Sequence, residues 1–361
     1  MSALMSRFVH ALPPPRYLAP PLAGIDISAS GVKGVRLRDT ARGLVLDSWA
    51  AEYLSPGAFA GGDFAEAETI ASAIAKVAGT LGVSSVSAAL PEAKSYLFEA
   101  VVAGETSDEL RTAVGERLTE LVPLPPEETL FDIVATGASE QGIRVAGTGF
   151  AKRIADRELA TYDLARVGVR SLEGETSAMA RALLAPGDDA AILVIDLGKT
   201  TTKLAIVEAR IPRFTTTIGI GGHAFTLAVQ KHFGVTEVEA RRVKIEHGIV
   251  AAPGNEDYLA AMLSTVAAIK DEVARRLEYW QEREAKLAGH GPVARAVIAG
   301  GNASVRGLPE YLEAALRIPV ALGDVFTNFA SRDHWIPELD YAESLAYATA
   351  IGLALHDYAP R

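Results

Sequence analysis

The sequence predicts an α/β protein of two related lobes that face each other, with a small α+β unit inserted in the first. Three observations carry this. An apolar run from Ala190 to Ile195 reaches Asp196, turns through Leu197-Gly198-Lys199, passes three successive threonines (Thr200, Thr201, Thr202) and leaves along a second apolar strand to Val207. A second copy stands near the N-terminus. Gly24-Ile25-Asp26-Ile27-Ser28-Ala29-Ser30-Gly31-Val32-Lys33 aligns Asp26 with Asp196, Ser30 with Thr200 and Lys33 with Lys203. Between the copies, about Ala93 to Asp163 has a strand and helix rhythm of its own.

A carboxylate at the end of a buried strand needs a partner to offset its desolvation. Gly198 lets backbone approach a ligand, and the threonine hydroxyls and amides suit phosphate oxygens while the acid suits a hydrated divalent cation. Taken alone, either loop is equally a β-hairpin with a polar tip. Two of them, each with an acid and a hydroxyl-rich turn, point to one phosphate site shared between the lobes.

The paired loops resemble the phosphate-1 and phosphate-2 motifs of the actin, Hsp70 and sugar-kinase ATPases. Ile220-Gly221-Gly222-His223-Ala224-Phe225-Thr226 resembles the turn that opens the helix after phosphate-2. Val297-Ile298-Ala299-Gly300-Gly301-Asn302-Ala303-Ser304, with Gly307-Leu308, resembles the adenosine motif. The resemblance implies an actin-like (Hsp70/FtsA-type) two-lobed ATPase fold. The insertion, with its Val122 to Glu128 proline-bearing turn, Phe131-Asp132 strand and Val145-Ala146-Gly147 strand followed by Lys152, resembles subdomain 1C of the type IV pilus assembly PilM family and, more distantly, of FtsA. Leu172 to Leu183 resembles the helix that follows in PilM.

In order, residues 1–20, with a Pro13-Pro14-Pro15 run, read as an extended arm, or as a short membrane-touching helix from Met1 to Leu12. Residues 21–92 and 165–189 are expected to form subdomain 1A. Val35–Leu37 and Leu44–Tyr53 read as strands, Phe64–Leu81 as a helix with Ile70, Ile74, Val77 and Leu81 inward, and Ser84–Leu90 as a strand. Residues 93–164 form the inserted 1C: strand Tyr96–Val102, helix Ser107–Leu121 capped by Ser107, strands Thr129–Thr136 and Gly142–Gly149, helix Ala151–Val167. Residues 190–235 and 293–361 are assigned to 2A, with strand Arg213–Ile220, helix Gly222–Phe233, strand Ala294–Ala299, helix Leu308–Leu316, strand Val320–Leu322 and a closing helix Glu343–His356. Residues 236–292 form 2B, with a charged helix Thr236–Lys244 capped by Thr236 and a long helix Asn255–Leu287 striped by Leu259, Met262, Val266, Ile269, Val273, Leu277 and Trp280.

The resemblance assigns ATP to the cleft, with Mg²⁺ held mainly through water by Asp26 and Asp196. Ser28, Ser30, Lys33, Gly198, Thr200 and Thr201 are the expected phosphate contacts, with Ala29 and Lys199 beside them in the same two nucleotide-binding turns. Gly221 and Gly222, in the turn after phosphate-2, Lys244, near the nucleotide, and Gly300, Gly301, Asn302 and Ala303, against ribose and phosphate, are the other expected nucleotide-binding residues. The family usually has glycine where this chain has Ser28, which bears on how closely the first turn approaches. Glu173 and Glu175 are the acids near the connecting helix, as water-orienting residues or as first-turn helix acids. PilM-like proteins imply little turnover and a scaffold role. The implied partner is the cytoplasmic N-terminal peptide of a PilN-like inner-membrane protein, docked between the first subdomain and the insertion, with pilus motor ATPases as further candidates. An FtsA-like division protein and a small-molecule kinase of the same fold are the alternatives. The lack of a terminal amphipathic helix counts against FtsA, and the lack of an Asp/Asn-rich sugar loop against the kinase.

Composition narrows the rest. A formal net charge of −10 over 361 residues argues against nucleic-acid binding. There is no cysteine, hence no disulfide, thiolate metal site or cysteine nucleophile. No apolar run of about eighteen residues is present, so no direct membrane span is expected and the protein reads as cytoplasmic, peripheral to the inner membrane through its partner. Walker and Gly-x-Ser-x-Gly motifs are absent, and His223 and His232 are too far apart for adjacent-turn metal ligands.

Overall fold

The structure is a computed structural model that describes residues 21–55, 57–60, 63–64, 66–284 and 289–358. The arm at 1–20, the Met1–Leu12 helix expected there and positions 285–287 of the long helix lie outside the described residues.

Two five-stranded sheets share one topology. In the first lobe β1 (Leu22–Ser28), β2 (Gly31–Thr40) and β3 (Gly43–Glu52) form an antiparallel meander. After a short hairpin, β4 (Phe59–Ala60) and β5 (Asp63–Phe64), helix α1 (Ala67–Leu81) covers the sheet and β6 (Ser85–Leu90) pairs parallel to β1. α1 buries Ile70, Ile74, Val77 and Leu81 against Ile25 and Val32, as its apolar spacing predicts, and stops at Gly82, whose left-handed φ of 65° suits glycine.

The chain then builds a separate antiparallel sheet, order β7-β9-β8, from β7 (Ser95–Val102), β8 (Thr129–Ser139) and β9 (Gly142–Ala151). Helices α2 (Ser107–Glu116) and α3 (Leu118–Leu121) cover one face, packing Leu110, Val114 and Leu118 on Phe98, Val102 and Val145. The expected single helix is broken at Arg117, just after the poor helix former Gly115. Its cap is Thr106, not Ser107: the Thr106 hydroxyl accepts from the Glu109 amide and the Glu109 carboxylate bonds back, a capping box. Helix α4 (Lys152–Leu164) returns to the first lobe.

There β10 (Gly168–Gly174) adds to β6 in parallel, completing the order β10-β6-β1-β2-β3. This strand was not expected, because its mixture of Arg170, Ser171 and Glu173 gives no apolar alternation; pairing with β6 fixes it. Helix α5 (Glu175–Leu183) leads into the second lobe. Here β11 (Ile192–Leu197), β12 (Thr202–Glu208) and β13 (Ile211–Ile218) repeat the meander. Helices α6 (Gly222–Phe233), α7 (Glu237–His247, capped by Thr236) and α8 (Glu256–Tyr279) follow, and a wider-pitched turn, Trp280–Glu284, ends the long helix. Its buried stripe runs through Tyr258, Met262, Val266, Ile269, Val273 and Leu277. Then β14 (Arg295–Ala299) pairs parallel to β11, α9 (Leu308–Leu316) crosses, and β15 (Val320–Leu322) pairs with β14.

The closing segment is not one helix but α10 (Tyr341–Ser344), a tighter turn Leu345–Tyr347 and α11 (Ala348–Ala354). The Leu345 carbonyl accepts the Gly300 amide at 3.0 Å, which draws it out of the helical ladder. Helices α5 and α11 cross at the base of the cleft, so closely that a Cβ on Gly352 would lie 1.8 Å from the Ala178 carbonyl oxygen.

Candidate functional site

The shared topology brings the two strand-loop-strand units face to face across a cavity of about 380 Å³. Their registers are identical: Asp26 lies opposite Lys33 across β1–β2, and Asp196 opposite Lys203 across β11–β12. On the first wall the Ser28 and Ser30 hydroxyls are 2.9 Å apart and Lys33 Nζ donates to Ser30 Oγ at 2.7 Å. Asp26 is buried and its Oδ1 has no hydrogen-bond partner. Burial, then the nearby Glu175 carboxylate, push Asp26 up to about 6 despite Lys203 and Lys33. Burial likewise lowers Lys33.

On the second wall the Gly198 amide donates to the Thr201 carbonyl at 3.0 Å, folding the loop tightly. Helix α6 is pinned beneath it: the amides of Gly222 and His223 donate to the carbonyls of Gly198 and Lys199 at 2.9 and 2.8 Å. A Cβ on Gly221 would sit 2.6 Å from the Thr201 nitrogen, so only glycine permits this contact. Gly300, at φ 96°, presses against the acid itself, since a Cβ there would lie 2.4 Å from Asp196 Oδ1. Burial raises Asp196 as well.

Between the walls stands Lys203, 2.7 Å from Glu175 Oε2 and 3.9 Å from Asp196 Oδ2. Burial alone would lower this lysine, but Glu175, Asp196 and Asp26 together hold it above the usual range. Glu175 also accepts the Glu92 amide at 2.9 Å, while the Glu92 carboxylate accepts the Thr176 amide at 3.0 Å. The two acids thus tie the start of the inserted sheet to the first turn of α5, Glu175 capping the Glu92 amide and Glu92 the Thr176 amide. At the far end Lys244 Nζ donates to Asn302 Oδ1 at 2.7 Å, and Asn302 Nδ2 to the Gly198 carbonyl at 3.0 Å. Desolvation, with Arg241 nearby, lowers Lys244 to about 8.

Of the residues singled out in the sequence, Asp26, Ser28, Ala29, Ser30, Lys33, Glu175, Asp196, Gly198, Lys199, Thr200, Thr201, Gly222, Lys244, Gly300, Gly301 and Asn302 all line this cavity. Gly221 and Ala303 lie behind its wall, Ala303 fully buried with its amide on the Gly300 carbonyl. Glu173 is a correction. Its carboxylate is held by both Arg181 Nη atoms at 2.7 and 2.6 Å, with His356 at 3.3 Å, and it is not part of the lining. Arg181 and His356 lower it below the usual carboxylate range against the effect of burial.

The sequence reading missed Lys203 as a site residue, although its alignment with Lys33 was the available signal. His223 and Ser304 also line the cavity; they stand in the two Gly-Gly motifs but were not singled out as contacts, whereas Glu92, Arg241 and Ile245, which line it too, carried no motif. Chemically, five cationic side chains (Lys33, Lys199, Lys203, Arg241 and Lys244) and two turns rich in amides and hydroxyls suit a polyanion, while Asp26, with an orphaned oxygen, and Asp196 suit a hydrated divalent cation.

The family model described as "Type IV pilus assembly protein PilM" matches residues 24–358. The chain belongs to that family. It superposes on a chain from a solved PilM-PilN type IV pilus biogenesis complex with a TM-score of 0.74 at 21% identity, covering 94% of this chain and 98% of that one. It is also similar to the ethanolamine utilization protein EutJ from Carboxydothermus hydrogenoformans (TM-score 0.55, 15% identity, 93% and 90% covered). MreB5 of Spiroplasma citri, solved bound to ADP, matches at TM-score 0.53 and 14% identity, with 92% and 95% covered. The PilM-family chain therefore has the two-lobed actin-like fold. Among its described residues no helix is long and apolar enough to cross a membrane.

Proposed function

We propose that this PilM-family chain is an ATP-binding scaffold of a type IV pilus, or related secretion, assembly at the inner membrane. The observation that carries the nucleotide reading is the pair of equivalent turns, in identical register, that face each other with Asp26 and Asp196 across one cavity. ATP phosphates would lie between the Ser28–Ser30 and Gly198–Thr201 turns, with Lys33 and Lys203 balancing their charge and Asp26 and Asp196 facing hydrated Mg²⁺. Lys244 and the Gly300-Gly301-Asn302 turn would meet the nucleoside. The bound MreB5 nucleotide and the family's pilus role support the reading by analogy of fold.

Turnover is expected to be slow. Glu175, the acid in the cleft nearest the connecting helix, is tied to Lys203 and the Glu92 amide, so it is poorly placed to act as a base. The partner we propose is the N-terminal cytoplasmic peptide of a PilN-like membrane protein, taken in between the first lobe and the inserted sheet, with pilus motor ATPases as further candidates. Fractionation tests the scaffold role: the chain should follow membranes when the PilN-like partner is present and stay in the cytosol when it is absent. Pelleting that is independent of the partner, or phosphate release faster than about one per second, would overturn it.

A further inference from the structure

The inserted sheet hangs on the first lobe. β7 enters from β6 through Glu92–Lys94, and β9 leaves into α4. Yet Glu99 of β7 reaches into the second lobe. Its Oε1 accepts from Arg213 Nη1 of β13 at 2.6 Å, and its Oε2 lies 3.0 Å from His290 Nε2 in the turn before β14. On the other side of that ring, Nδ1 is 2.8 Å from Glu208 Oε2 at the end of β12, and Arg213 Nε is 3.6 Å from the same carboxylate oxygen. Trp280, just past α8, stacks on the imidazole with centroids 5.3 Å apart. Four separate stretches of the second lobe thus build one socket.

The socket is desolvated, with the Arg213 and His290 side chains only 7% and 9% exposed. An exposed ion pair contributes little, but a buried guanidinium that loses its partner is left with an uncompensated charge. Glu208 alone cannot replace Glu99, since its contact to Arg213 is the longer one and it already serves His290. The receptacle is complete only when a carboxylate from the other lobe is seated in it. The root of the same sheet, Pro91, Glu92 and Ala93, forms part of the cavity wall.

We propose that Glu99 is a latch that fastens the inserted sheet to this second-lobe socket, so that the sheet is carried with the second lobe whenever the cleft opens or closes. The latch stands whatever ligand fills the cleft. It makes the sheet's orientation, and hence any surface it presents, a readout of the angle between the lobes.

Electron-electron distance measurement on the full chain tests this. The sequence has no cysteine, so spin labels can be placed at Glu140→Cys in the β8–β9 turn and Lys231→Cys on α6, both exposed. The otherwise unchanged chain should give one narrow distance peak. Glu99→Gln, which keeps the shape and removes the charge, should lose that peak to a broad distribution. Glu99→Asp, one methylene shorter, is the milder variant and should move in the same direction. Asp132→Asn removes another carboxylate from the same sheet, one paired with Arg111 at 2.8 Å on the exposed surface, and should keep the narrow peak. Distributions for Glu99→Gln and Glu99→Asp that superpose on the parent would overturn the latch.

Discussion

Lys203 joins the acids of both lobes: it belongs to the second, pairs with Glu175 of the first and lies beside Asp196. With Glu175 only 4% exposed at its side chain, Lys203→Met should leave a buried carboxylate without its cation and lower stability by about 3 kcal/mol, read by urea unfolding. Glu158, on α4 behind the cavity, makes the opposite kind of statement. Burial, then Glu175 and Asp26, raise it to about 9, and its Oε2 has no hydrogen-bond partner. Because its folded pKa lies above its ordinary value of 4.5, the unfolded chain releases this proton first, and the folded state loses stability as pH rises from 4.5 towards 9. Glu158→Gln should therefore gain stability relative to wild type, and gain more at about pH 8 than at about pH 5.5, in paired denaturation curves. An equal difference at both pH values would remove Glu158 from the buried cluster. Lys203 was legible only through the repeat, and Glu158 not at all, since the acids that act on it, Glu175 and Asp26, come from α5 and β1. Glu173 misled for the same reason: its partners, Arg181 and His356, are supplied by a later turn of α5 and by the chain's far end.

Among the elements, those with a strong apolar period or a repeated turn could be read from sequence alone, as α1, α8, β11 and β12 illustrate. Their type follows from the apolar period within each segment, while the ends of α1 and α8 do not, since those helices run over Ala67–Leu81 and Glu256–Tyr279. The elements that could not be read depend on partners elsewhere. β10 exists because β6 offers it an edge, and the break between α10 and α11 because Gly300 draws on the Leu345 carbonyl. The crossing of α5 and α11 gives a test at this scale. Gly352→Ala gains roughly 1 kcal/mol of helix propensity, but its Cβ would fall 1.8 Å from the Ala178 carbonyl oxygen inside a buried contact. The clash should win. The unfolding free energy should drop, by about 1–3 kcal/mol after relaxation of the helices, whereas a rise in stability would mean that the crossing is looser than the packing indicates.

At the level of the molecule, two sheets of one topology carry the same acid-turn-lysine unit in the same register, and the helix crossing at their base leaves the cleft as the place where both units meet. The inserted sheet is attached to one lobe by the chain and to the other by Glu99, so the cleft and the insertion are physically connected through Glu92 and Glu175 as well as through the second lobe. A scaffold reading needs the cleft to hold nucleotide in the first place. The most direct test is calorimetric titration of Mg-ATP into the wild-type chain and into Asp196→Ala. Saturable binding by the wild type, weakened at least about tenfold, or roughly 1.4 kcal/mol, in the variant is the predicted result. Equal affinity in the two proteins, or no heat of binding to the wild type, would contradict it.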